Sequence, residues 1–219
     1  MSSPDIQKQV ENAVRRLNTL YTRTLPVKVG TKAVSLTKKR FSDSAFNGRA
    51  WQEPYRRKLS FKGAQASYKT LESGTKHLRD STYFKPEPGK VYIRNQVDYA
   101  QIHNEGGTIT VTAKMKKYFM WKYLSIVGSK GNKKYKPIKS KYTYNKKGVV
   151  RKTKGNEALT REALFWRNMA LKREGSLIRM PRRHFFGPDA NMSKEIRKII
   201  ERELQLFVKN YGTYFRESR

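Results

Sequence analysis

The chain has no cysteine among its 219 residues. That absence excludes disulfide frameworks, thiol nucleophiles, Cys-ligated zinc and iron–sulfur clusters together, and it accords with a reducing compartment. Acidic residues are scarce as well: 17 Asp or Glu face 49 Lys or Arg, which leaves a formal charge of +32. A balance this basic favours a polyanionic neighbour, either nucleic acid, an acidic membrane surface or an acidic protein patch, but charge alone does not choose among them. No apolar run approaches the roughly 18 residues that a spanning helix needs. The first residues, Met1 to Asp5, lead directly into an amphipathic segment without the basic, apolar and small-residue regions of a secretory signal, so a cytoplasmic protein is expected. What is present is packing material, 37% hydrophobic and 12% aromatic residues. This suffices for one large domain or two small ones without metal or disulfide staples.

Hydrophobic spacing divides the chain. Ile6, Val10, Ala13, Val14, Leu17 and Leu20 recur at intervals of three and four, which predicts a helix with Asp5 at its N-cap and a stop before Pro26. A second helix is expected from about 27 to 46, with Val27, Val34, Phe41 and Ala45 in register and Gly48 beyond its end. Residues 48–70 show no clear period and read as an irregular arm. Thr82 to Arg94 reads as two strands around Pro86-Glu87-Pro88-Gly89. Asp98 opens a short helix closed by Gly106-Gly107, and Thr108 to Thr112 forms the next strand. Later come a helix over 157–172, a strand over Leu177–Met180, a turn-rich link from Pro181 to Pro188, and a last helix from about Asn191 to Asn210. The order predicts an α+β fold, a small antiparallel sheet packed by N- and C-terminal helices. The domain comprises 1–109 and 157–219, interrupted by an insertion at 110–156.

That insertion holds much of the charge. From Thr110 to Gly155 there is no Asp or Glu but there are fifteen Lys or Arg, close to half of the +32. Tyr118, Phe119, Trp121, Tyr123, Tyr135, Tyr142 and Tyr144 are interleaved with them. The turn residues near 128–132 and 145–148 predict a basic hairpin or extended arm. Its candidate contacts to a polyanion or partner are Lys114, Lys116, Lys117, Lys122, Lys133, Lys134, Lys136, Lys139, Lys141, Lys146, Lys147, Arg151, Lys152 and Lys154. Arg182, beside Arg179 and Arg183 around Pro181, belongs to a second basic knot. Lysines neutralise phosphates and exposed aromatics stack on unpaired bases, so a standalone, non-specific nucleic-acid-binding protein using 114–154 is one reading. The other is a solvated hairpin whose tyrosines pack on the body or on a neighbouring subunit.

Catalytic chemistry is hard to find. His77, His103 and His184 are never four residues apart, and no cysteine completes a zinc set or the deaminase pattern that His103 and Glu105 begin. His103-Asn104-Glu105 could open a metal-nuclease site, but no second histidine or asparagine follows at a suitable distance. Neither a Gly-x-Ser-x-Gly elbow nor a phosphate-cradling loop occurs. A non-enzyme with no cofactor is expected.

Three segments then stand out together. Ser73-Gly74, Leu78 and Ser81 follow Trp51; Tyr99-Ala100-Gln101-Ile102-His103-Asn104-Glu105-Gly106-Gly107 comes next; and Met180-Pro181-Arg182-Arg183-His184-Phe185-Phe186-Gly187 precedes the final helix. In this order they resemble the phage virion morphogenesis family, the tail-completion proteins of long-tailed phages. The second segment is similar to the family's Tyr-Ala-x-x-His-x-x-Gly, the third to its Ile-Pro-x-Arg-x-Phe-x-Gly. The resemblance covers most of 1–109 and 157–210 and does not account for the insertion. It implies a structural virion protein of the neck, a homo-oligomeric ring, a hexamer, at the head-proximal end of the tail. Such a ring completes the tail and joins it to the head. It further implies connector and tail-tube partners, contact with packaged DNA if the insertion lines the DNA path, no membrane partner, and assembly in the host cytoplasm. The motif residues themselves have structural roles open to them: positive φ at the glycines, anchoring at Tyr99 and Phe185, and stiffening at Pro181.

Overall fold

The apolar stripe at the N-terminus does form a helix, but the proline does not end it. The computed structural model describes residues 3–59, 67–127 and 157–216. Within these, α1 spans Ser3–Thr19, a π turn spans Leu20–Thr24, and α2 runs Leu25–Asp43 with Pro26 in its first turn. Proline is tolerated there because the first turn's N–H groups have no intrahelical acceptor to lose. The widened turn carries the chain past it: the Leu25 N–H donates to the Leu20 carbonyl, five residues back. The expected stop at Pro26 is thus replaced by a passage from one helix into the next.

By contacts the chain divides into two units, one made of 1–50, 76–100 and 184–219, the other of 51–75 and 101–183. In the first, α2 is the central element. Its buried residues are Pro26, Gly30, Ala33, Thr37, Arg40 and Phe41, so of the expected register Phe41 is buried and Val34 part-buried, whereas Val27 is exposed and Ala45 lies beyond the helix. Small residues at 30 and 33 let neighbouring segments of the chain approach closely. A Cβ at position 30 would enter the ring of Phe84. The helix ends at Ser44 in the left-handed region, φ 50°, and a tight hairpin follows, β1 Ala45–Phe46 with β2 Arg49–Ala50. Asn47 and Gly48 both have positive φ, as the hairpin's two-residue turn requires.

The strand pair read between Thr82 and Arg94 is present as β3 Thr82–Glu87 and β4 Lys90–Asn95, antiparallel around Pro88-Gly89. Phe84, Val91 and Ile93 are part-buried while Lys85, Tyr92 and Arg94 are exposed, and both strands lie against α2. Before them, a short helix His77–Asp80 presents the Leu78 carbonyl to Asn95 Nδ2 at 2.7 Å. The final helix, Ala190–Arg216, also lies against α2.

In the second unit β5 Gly107–Thr110 pairs antiparallel with β6 Leu177–Met180, Gly107 opposite Met180 and Thr110 opposite Leu177. The fold is α+β as expected, but the strands among the described residues form three separate antiparallel pairs, not one sheet. The larger correction concerns the insertion. Residues Ala113–Val127 form a helix, not a hairpin or extended arm, and it packs on a second helix, Glu157–Ala170. Ile126, Val127 and Ala163 form a small core capped by Tyr123 and Trp166, and the Phe119 ring stacks on Trp166 with centroids 5.9 Å apart. Met115, Phe119, Tyr123 and Ile126 had the helical spacing all along; density of charge hid it. The ten candidate contacts from Lys133 to Lys154, and the hairpin tip expected near 145–148, lie outside the described residues.

Candidate functional site

The three motif segments are absorbed by packing. In the second unit, pairing of β5 with β6 brings the His103 segment alongside the Pro181 segment. The Arg183 N–H donates to the His103 carbonyl at 2.8 Å, and Arg183 Nε donates to the Gln52 carbonyl at 2.9 Å, next to buried Trp51. Gly106 has φ +76°, and a Cβ there would stand 2.9 Å from the Arg182 backbone nitrogen. The crossing therefore requires glycine on both conformational and steric grounds. Gly107, φ +141°, abuts Ile102, and Pro181 is half-buried between β6 and Arg182.

Burial lowers the pKa of His103, and the charge of Arg183 lowers it further. The guanidinium of Arg183 is also pushed down from its ordinary value, by burial first and then by Arg56. His103 is accordingly a neutral imidazole near pH 7. Glu105 is exposed and accepts from Gln101 at the long limit of 3.5 Å. Among the described residues no three His, Asp or Glu side chains are grouped so as to hold a metal ion.

Gly74 lines a shallow cavity of about 330 Å³ with Arg56, Tyr68, Glu72, Ser73 and Thr75. Here Arg56 Nη2 donates to the carbonyls of Tyr68, Lys69 and Glu72 at 3.3, 2.9 and 3.4 Å, holding the turn together. Its pKa is lowered by burial and then by neighbouring Arg57. Among the described residues the lining of the cavity holds one carboxylate, Glu72, and no histidine.

The first unit takes up the other motif residues. Leu78 and Ala100 are buried, Ser81 Oγ lies 3.4 Å from His77 Nδ1, and Tyr99 remains exposed. Gly187 takes φ +104° against the His184 ring. Phe185 is fully buried, its ring 5.0 Å from Phe41 and 4.7 Å from Phe186. Its carbonyl accepts from Arg40 Nη1 at 2.7 Å, and Arg40 Nη2 is paired with Asp189 Oδ2, also at 2.7 Å. Asp189 caps the final helix as well, accepting from the Met192 N–H at 2.7 Å. Burial raises its pKa, but the Met192 N–H and Arg40 outweigh this, so it lies below the usual carboxylate range. Sequence reading missed Arg40 and Asp189. The signal available was an arginine at helical spacing from Ala33 and Thr37, which is indistinguishable from a solvated one without its partner.

Among the described residues two exposed surfaces stand out. On α1, Ile6, Val10, Val14 and Leu17 are 48%, 47%, 61% and 42% exposed, an apolar stripe in contact with water. On the helix Ala113–Val127, Tyr118 and Trp121 are exposed, Lys122 stands over both rings, and Lys114 and Lys117 lie four residues before them, respectively, on the same face. Arg182 is exposed too. No described helix is long and apolar enough to cross a membrane. In comparisons with known proteins, no family model, no curated protein and no solved structure matches this chain.

Proposed function

We propose that the protein is a structural virion component of the phage neck or tail-completion class, assembling through α1 into a homo-oligomeric ring, a hexamer, that completes the tail and mediates head–tail joining. The observation that carries this reading is the exposed stripe of Ile6, Val10, Val14 and Leu17. With Ala13 and Leu20 it continues the alternation of four and three residues typical of a helix–helix seam, flanked by Gln7, Gln9, Val14 and a single charge, Arg16. A second copy of the same chain is the fitting occupant. In a protein of +32, like-charge repulsion opposes self-association, yet Ser3–Thr19 carries only Lys8, Arg15 and Arg16 against Asp5 and Glu11. Two heptads are too short to pair in isolation, so the contact would hold only when repeated around a closed ring. The resemblance of the three motif segments and their structural roles support the same reading. Connector and tail-tube proteins would be the partners above and below, with the virion as the final location.

Native mass spectrometry of the full chain at low micromolar concentration tests it, with connector or tube protein added where the chain alone stays small. A closed oligomer is expected, and Val10→Glu with Val14→Glu should abolish it. A strict monomer, even within assembled tails, would overturn the proposal.

A further inference from the structure

The helix Ala113–Val127 has two unlike faces. Phe119 and Ile126 turn towards the helix Glu157–Ala170 and are buried. Lys114, Lys117, Tyr118 and Trp121 stand three and four residues apart and share a second, exposed face, at whose edge the Tyr118 ring also meets Trp166 of the facing helix, centroids 6.2 Å apart. All four are exposed, Tyr118 at 48% and Trp121 at 46%. The two rings lie 5.8 Å apart between centroids at an interplanar angle of 36°. Lys122 Nζ stands 5.2 Å from the Trp121 centroid and 5.8 Å from that of Tyr118, close enough for its charge to hold both rings. The arrangement is a cation beside two splayed, accessible π surfaces.

Among the described residues Lys114, Lys116, Lys117 and Lys122 make no ion pair. Lys114, Lys116 and Lys117 lie in the first turns, at the positive end of the helix dipole, where cations are disfavoured. Glu174 is the carboxylate that meets this end, accepting from the Ala113 N–H at 3.1 Å. An anion laid along the face would relieve that repulsion.

We infer that this face is a binding site for single-stranded nucleic acid, with phosphates on Lys114, Lys117 and Lys122 and unpaired bases on Tyr118 and Trp121. Double-stranded DNA would satisfy the lysines but offer no open base face to the rings. An acidic protein patch would also leave them idle. Stacking on aromatics with lysines tracking the backbone is the general physics of sequence-tolerant single-strand binding. The site is independent of α1 and of ring formation.

The test uses the full-length protein and anisotropy of a fluorescein-labelled oligothymidylate of ~20 nucleotides, against a matching duplex and base-free inorganic polyphosphate. The oligothymidylate should bind more tightly than either. Tyr118→Leu with Trp121→Leu, which keeps apolar bulk on the helix, should weaken it about 10-fold or more without altering the salt dependence. Tyr118→Phe with Trp121→Phe should retain binding. Lys114→Gln, Lys117→Gln and Lys122→Gln together should flatten the log–log salt slope by about 2. Photo-crosslinking of a bromodeoxyuridine oligomer to the unaltered protein, mapped by mass spectrometry, gives a readout that no folding defect can imitate. Attachment at Tyr118 or Trp121 is expected. Equal affinity for polyphosphate or duplex, unchanged binding by the leucine pair, or crosslinks confined to other residues would each overturn the inference.

Discussion

The two units are nearly equal in length but use charge differently. The unit of 1–50, 76–100 and 184–219 holds 22 Lys or Arg and 11 Asp or Glu, a net +11; the unit of 51–75 and 101–183 holds 27 and 6, a net +21. In the first, carboxylates tie helices together. Glu203 Oε1 meets Lys28 Nζ at 2.6 Å, Glu195 Oε2 meets Lys32 Nζ at 2.8 Å, and Asp189 meets Arg40 out of water. Lys32, then Lys198, pull the Glu195 carboxyl down to about 2. In the second, cations outnumber acids more than fourfold, and the core beneath them is a thin layer of rings and small aliphatics. Cations spent inside a fold are architecture. Cations left over on a surface, interleaved with aromatics, invite a polyanion from outside.

The sharpest way to break this contrast is to remove an internal carboxylate. Asp189→Ala would strand buried Arg40 and uncap the last helix, and a loss of about 3–5 kcal/mol is expected in urea denaturation. Arg40→Met combined with Asp189→Leu should recover only the part due to the stranded charge, since the cap on the Met192 N–H and the donor to the Phe185 carbonyl stay lost.

A smaller effect should come from salt. Raising ionic strength to about 0.3 M shortens the screening length well below 10 Å and should relieve repulsion in the second unit, by about 1 kcal/mol or less. Hydrogen exchange should then slow in Ala113–Val127 and remain unchanged in the β3–β4 hairpin. Equal slowing in both would mean that the charge imbalance does not localise.

The smallest effect concerns His103. Its folded pKa lies below the unfolded value, so the unfolded chain binds the proton more readily. The contribution to stability is complete above the ordinary histidine pKa and is lost as pH falls through the folded one. Stability should therefore decline on acidification from about pH 6.5, and His103→Gln should flatten that decline. A profile unchanged by the substitution would remove His103 as its source.

Local elements were legible because their signals are local. The hairpin around Pro88-Gly89 and the helix closed at Gly106 each depend on neighbours within a few residues. The π turn at Leu20–Thr24 was not, since proline's preference reads as a stop unless the turn before it can widen. Nor was the helix Ala113–Val127, where repulsion between lysines argued for an open arm and burial of Phe119, Ile126 and Val127 outweighed it. The roles of His103, Arg183 and Phe185 became visible only with their partners.

By itself the sequence determined the chemistry in stock: no thiol, a surplus of cations with one long stretch free of acid, and periodicities that make helices and hairpins. Tertiary structure decided which of those charges are used internally and which rings face water. Arg40 and Asp189 are separated by 149 positions, and Tyr118 differs from Phe119 by one position and 100° around a helix. Pairing across such a distance, and the choice of which face of a helix is covered, follow from how the whole chain closes and cannot be read from neighbouring residues.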